Sequence, residues 1–144
     1  MTNHENESAT SSVEFVSQEF IPYHTDEQGF SLKEGKIAVK FSGADFTGTG
    51  SARSLLALSE DGSGHFGNLI HITGRIGGRS GTFVVQGKGW LKWIDSAAGG
   101  WSEVKAEWLI VPGSGTGELT GLRGGGPIHD SGQGAEVTLN YWFE

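Results

Sequence analysis

The sequence predicts an all-β domain, a closed antiparallel eight-stranded barrel whose strands run alternately up and down. Apolar stretches rich in Val, Ile, Phe, Trp and Thr recur about every ten to fifteen residues, and Gly, Asp and Ser separate them. No stretch keeps the apolar period of a helix, and short links between stretches imply antiparallel neighbours. Eight such strands can close on themselves, which removes exposed sheet edges.

Each predicted strand is an apolar run bounded by turn-forming residues. Three links carry their own turn chemistry, namely Glu60–Gly64, Gly77–Gly78 and Asp95–Gly100. The eight runs, in chain order, are Ser12–Phe20, Gly35–Ser42, Phe46–Ser59, His65–Arg75, Ser80–Lys92, Trp101–Val111, Gly115–Leu122 and Ala135–Phe143.

Glycine is concentrated in two segments, Gly74–Gly89 and Pro112–Gly126. Glycine at this density indicates either disorder or tight backbone geometry. Apolar runs lie between these glycines, at Thr82–Val85 and Trp108–Val111, and they favour geometry. The glycines are therefore predicted to mark turns, bulges and corners of the barrel.

Composition bounds the class of protein. The 144 residues include 35% hydrophobic and 19% charged residues, which fits one globular domain over residues 12–144. Residues 1–11 are polar and are predicted to form a disordered tail. No apolar run is long enough for a membrane helix. The net charge is −7 and the ten Lys and Arg are spread thinly, which argues against a nucleic-acid partner.

Several reactive or ligand-binding groups are missing from the sequence. There is no cysteine, so disulfides and thiolate chemistry are excluded, and the cytoplasm is the expected compartment. No two of the five histidines have a metal-ligand spacing. The chain has neither the Gly-Lys-Ser/Thr of a phosphate loop nor a nucleophile elbow. We therefore expect no metal and no cofactor.

Several predicted strands are apolar on both faces, most clearly Leu55–Leu58, Asn68–Ile72 and Trp108–Val111. A monomeric barrel would alternate apolar and polar residues, because water wets its outer face. These strands therefore predict that a second copy covers the outer face, most simply in a homodimer.

The alternation of side chains along a strand leaves two frames open for the barrel interior. In the first frame the inward residues are Arg53, Leu55, Ala57, Phe66, Asn68, Ile70, Phe83, Val85 and Gly87. In the second frame they are Ser54, Leu56, Leu58, Leu69, His71, Val84 and Gln86.

The candidate catalytic residues are Arg53, Asn68 and His71. Arg53 would bind a substrate carboxylate or enolate, with Asn68 as a second polar group, and His71 would act as a general acid or base. An arginine at the barrel mouth or an interface, and a structural histidine, are the alternatives. The residues predicted to bind a hydrophobic substrate are Phe66, Ile70, Phe83, Val85, Gln86, Gly87, Trp108 and Tyr141.

The segment Val111–Gly124 resembles the signature of a small bacterial domain-of-unknown-function family whose members have an allene oxide cyclase-like barrel. The resemblance covers nearly all of residues 13–144. Shorter matches follow in the same order at Lys40–Gly43, Gly48–Gly50, Glu60–Gly62, Gly74–Phe83 and Leu139–Phe143. Relatives often carry an acid in place of Arg53 and of Ile70 and a histidine in place of Gly87, so chemistry that depends on those groups is not carried over.

The resemblance also implies a function. Similar barrels include allene oxide cyclases and the spiro-ring-forming and Diels-Alder cyclases of polyketide pathways, which fold a reactive substrate in an apolar tunnel without a cofactor. This implies a cofactor-independent cyclase or isomerase of natural-product biosynthesis that acts on a hydrophobic polyene or polyketide-type substrate. The alternative is a non-catalytic barrel that binds a small hydrophobic ligand.

Overall fold

The computed structural model describes residues 6–93, 101–130 and 134–144. It contains eight β-strands and one 3-10 turn, η1. In chain order they are β1 Glu7–Thr25, β2 Ser31–Ser42, β3 Phe46–Leu58, β4 Ser63–Ile76, β5 Arg79–Trp93, β6 Trp101–Ile110, η1 Gly117–Leu119, β7 Leu122–Asp130 and β8 Ala135–Phe143.

Every strand pairs antiparallel with the next strand in the chain, and β8 pairs back with β1, so the sheet closes into a ring. The predicted all-β class and the eight antiparallel strands are confirmed. Closure places Thr10 of β1 beside Thr138 of β8, with their hydroxyl oxygens 3.1 Å apart. Both edges of the sheet are thereby paired.

The start of β1 differs from the predicted tail. Residues 1–5 lie outside the described part of the chain, but from Glu7 onward the backbone pairs with β8, and Ala9 and Ser11 are buried. The alternation of small and polar residues in this segment suits a strand with one face on the core. The polar composition of residues 7–11 therefore did not indicate the strand that these residues form.

The seventh predicted strand, Gly115–Leu122, is wrong. Gly117 and Gly121 have φ of 59° and 87°, which interrupt an extended backbone, and the chain forms η1 there. The observed β7 begins at Leu122 and runs through the glycines that were predicted to form a turn. Before η1, the hydroxyls of Ser114 and Thr116 accept hydrogen bonds from backbone N–H groups of β5 at 3.0 and 3.1 Å.

The two ends of the ring are unequal. At the end that carries η1, the interior is filled by fully buried side chains, among them Phe46, Phe83, Leu119 and Leu122. Phe46 stacks on Phe41 with ring centroids 4.5 Å apart. At the opposite end, Phe20 and Phe66 point inward and stay half-buried. We call these the closed end and the open end.

Candidate functional site

An apolar cavity of about 40 Å³ lies in the interior, between the middle of the ring and the open end. Half-buried Phe15, Phe20 and Phe66 line it toward the open end, and Trp108 lines it toward the middle. Among the described residues that line this cavity, Ser54 and Asn68 are the polar ones, and none carries a charge. The cavity therefore offers shape and hydrogen bonding rather than proton transfer.

Neither predicted inward frame holds for the whole sheet. In the β3–β4 pair Leu58 lies opposite Gly64, so even-numbered residues face even-numbered residues, and Ser54 pairs with Asn68. Arg53 pairs instead with Leu69 on the outer face. The interior thus combines the second frame in β3 with the first frame in β4 and β5, because the length of the turn between β3 and β4 fixes the parity of the pairing.

The candidate catalytic residues do not meet. Asn68 lines the cavity, whereas Arg53 and His71 are exposed on the outer face of the ring. Gln86 is exposed there too, and it pairs with Leu69. A substrate inside the cavity would have the sheet between it and these three side chains. The alternative of a solvent-facing Arg53 agrees with this placement, and His71 lies on the same exposed face.

Apart from Gln86, the predicted substrate-binding residues divide between the cavity and the surrounding core. Phe66, Ile70 and Trp108 line the cavity. Val85 and Phe83 face inward but lie nearer the closed end. The ring centroids of Phe83 and Phe46 are 6.2 Å apart there. Sequence reasoning missed the part of the lining that comes from β1 and β2, where Phe15, Phe20, Ile37 and Val39 face the cavity, and also Ala52, Leu91, Val104 and Ile128. In β2 the sequence did carry a signal, because apolar residues alternate at the odd-numbered positions Ile37 and Val39, as expected of a strand with one face inward.

Tyr141 points into the closed end rather than into the cavity. Its hydroxyl donates a hydrogen bond to Glu7 Oε2 at 2.9 Å. Burial and this carboxylate raise the pKa of Tyr141 to about 12, because both disfavour the phenolate. Tyr141 therefore ties the start of β1 to β8 and stays neutral at physiological pH.

Four cross-strand neighbours form the most distinctive part of the interior. Ser54, Asn68, Gly87 and Trp108 lie opposite one another on β3, β4, β5 and β6. Asn68 Oδ1 is buried, and no hydrogen-bond partner for it exists among the residues that the structure describes. A buried unpaired carbonyl oxygen costs about 1–3 kcal/mol. This row marks the cavity as a candidate binding site.

The described residues contain no cluster of metal ligands. No three His, Asp or Glu side chains come together there in a way that could hold a metal ion. In the same part of the chain no helix has the length and apolarity that crossing a bilayer requires.

Comparison with known proteins identifies relatives without an assigned activity. The sequence profile of a family described as protein of unknown function, DUF3224, matches residues 9–144. A crystal structure of a protein with unknown function from that family, from Shewanella oneidensis MR-1, shares 25% sequence identity with a TM-score of 0.75. The match covers 97% of this chain and 98% of that one. No curated protein matches the chain.

Proposed function

Since this chain belongs to the DUF3224 family, whose function is unknown, we propose a function from its interior: the ring binds a small hydrophobic ligand in the cavity. The observation that carries the proposal is an uncharged, aromatic-lined cavity that lies toward one end of an otherwise filled ring. Small-molecule sites are typically concave, mostly apolar and provided with a few polar groups.

The size of the cavity limits the ligand. A volume of about 40 Å³ exceeds what one water needs, yet it is small beside the pockets of drug-sized ligands. The cavity as it stands is smaller than a benzene ring needs, so a single-ring ligand is accommodated only if Phe20 or Phe66 changes rotamer and enlarges it. Both side chains are half-buried at the open end, and a rotamer change of Phe20 would give up its edge-to-face contact with Trp93, whose ring centroid lies 5.4 Å away.

Filling the cavity from within tests the proposal. We expect Ala52→Val to weaken toluene binding at least about tenfold, because Ala52 lines the cavity and each added methyl group occupies space that the ligand needs. Isothermal titration calorimetry measures the affinity, and thermal unfolding checks that the variant stays folded. Ser51→Val, one residue earlier and exposed on the outer face, is the matched control. Equal toluene affinity in Ala52→Val and the wild type would contradict the proposal.

A second proposal is the cofactor-independent cyclase or isomerase of a polyene or polyketide-type substrate, together with an allene oxide cyclase-like classification of the ring. The aromatic side chains Phe15, Phe20, Phe66 and Trp108 around one cavity favour it, since such surfaces can hold a flexible polyene in a reactive shape. A substrate of that length enters only if Phe20 and Phe66 move aside and enlarge the interior. A product of unchanged mass but altered retention time would support the cyclase. Polyene that is bound but recovered unchanged would support the non-catalytic binding barrel.

The cytoplasmic location stays a prediction.

We also propose a homodimer formed through the outer face. Leu55, Leu69 and Leu109 are 59%, 56% and 53% exposed on β3, β4 and β6. Burying such leucines stabilises an interface by roughly 25 cal/mol per Å² of apolar area. Light scattering after size exclusion should give twice the 15.3 kDa protomer mass for the wild type.

A charge at the centre of this surface should dissociate the dimer. We expect Leu69→Lys to be monomeric, because the dimer would bury an unpaired ammonium group. Thr49→Lys, exposed on β3, should stay dimeric and serves as the control. A monomeric wild type at high concentration would overturn the homodimer.

A further inference from the structure

Two polar atoms from residues that line the cavity meet above the α-carbon of Gly87. If Gly87 carried a β-carbon, that atom would lie within 3.0 Å of both Asn68 Oδ1 and Trp108 Nε1. The two side chains come from the strands on either side of β5 and lean over the glycine from opposite directions. We call this pair of atoms above Gly87 the polar notch.

The two atoms of the notch have complementary hydrogen-bonding roles. Asn68 Oδ1 accepts hydrogen bonds and is buried without a partner in the described residues. Trp108 Nε1 is a donor only. A group that donates to the first atom and accepts from the second satisfies both, and a hydroxyl is the smallest group that does so.

Charge narrows the class of ligand further. No described residue that lines the cavity is charged, so a carboxylate or an ammonium group would enter an apolar space without a counter-ion. A carboxylate would also face the lone pairs of Asn68 Oδ1. A neutral hydroxyl carries neither penalty.

We propose that the interior selects small neutral alcohols or phenols, with the hydroxyl in the polar notch and the apolar body extending toward Phe20 and Phe66. This inference rests on the proposed ligand-binding function and adds the chemical class of the ligand. Gly87 is essential to the notch, since a β-carbon at this position would collide with Asn68 Oδ1 and with the Trp108 ring.

A pair of nearly isosteric probes, phenol and toluene, tests the inference by calorimetry. Replacing Asn68 with leucine keeps the volume but removes the acceptor. We expect Asn68→Leu to weaken phenol binding about tenfold or more, while toluene binding is unchanged or stronger. Trp108→Phe removes the indole donor but keeps an aromatic ring, and it should weaken phenol binding several-fold relative to toluene. His71→Ala, exposed on the same strand, should change neither affinity.

The outcomes separate this inference from the function on which it rests. If the wild type binds neither probe, the proposed function fails and the inference fails with it. The wild type could instead bind toluene and show the same ratio of phenol to toluene affinity as Asn68→Leu and Trp108→Phe. The cavity would then bind apolar ligands without recognising a hydroxyl group. That result overturns the inference alone. Trp108→Phe decides the question if Asn68→Leu does not fold.

Discussion

Gly126→Ala is expected to destabilise the protein by about 4 kcal/mol or more, which would leave little folded protein. A β-carbon on Gly126 would overlap the backbone carbonyl oxygen of Thr138 on β8. Backbone cannot rotate away as a side-chain end can, so β7 and β8 would have to separate. Gly126 is also opposite Trp108 on β6, and the clash would therefore disturb two strand pairs.

A second strand glycine is the control for this prediction. Gly67 is exposed on the outer face of β4, and a β-carbon there would meet only the carbonyl oxygen of Gly87, at 3.8 Å. Gly67→Ala should be neutral or slightly stabilising, since alanine restricts the unfolded chain. Urea denaturation followed by tryptophan fluorescence measures both variants. Similar midpoints for the two would show that close strand approach is not what requires Gly126.

Phe46→Ala should lower the free energy of unfolding by about 3–5 kcal/mol. Phe46 is fully buried in the closed end. Its ring centroid lies 4.5 Å from that of Phe41, on which it stacks, and 6.2 Å from that of Phe83. The closed sheet around it cannot collapse onto the vacated volume, because every strand is held by two neighbours. The loss should therefore lie toward the upper part of the range.

The same substitution at an exposed position separates burial from residue type. Phe30 is 41% exposed immediately before β2, and Phe30→Ala should cost well under half as much as Phe46→Ala. Denaturant titration of both variants gives the comparison. A decrease in the free energy of unfolding below about 1.5 kcal/mol for Phe46→Ala would contradict the prediction, because it would mean that the closed end repacks around the smaller side chain.

Much of the fold could be predicted because most strands contain runs of β-branched and aromatic residues bounded by turns. The run Ser80–Lys92 illustrates this, since β5 occupies Arg79–Trp93. The prediction failed where glycine has two roles. Gly117 and Gly121 turn the chain at φ of 59° and 87°, whereas Gly125 and Gly126 lie within β7, where Gly126 permits close strand approach. Sequence spacing alone does not distinguish these roles.

The sequence indicated which residues of a single strand share a face, but it did not indicate which faces of neighbouring strands meet in the candidate site. Asn68 is the polar residue between Phe66 and Ile70 on one strand face, and that pattern placed it among the inward residues of the first frame. Arg53 was grouped with it because the parity of the β3–β4 pairing depends on the turn at Ser59–Gly62, whose backbone bonds the sequence does not display. The polar notch requires three strands in register and therefore emerged only from the structure.

The pairing of β1 with β8 has a consequence for how the chain folds. Thr10 and Thr138 are 128 residues apart in sequence, so the contact between their hydroxyls joins nearly opposite ends of the described chain. Until that pairing forms, both strands present free backbone edges on which another chain can assemble. Contacts of such long sequence separation form slowly. Ring closure is therefore the step at which this protein is most exposed to aggregation, and the hydrogen bond from Tyr141 to Glu7 lies at that seam.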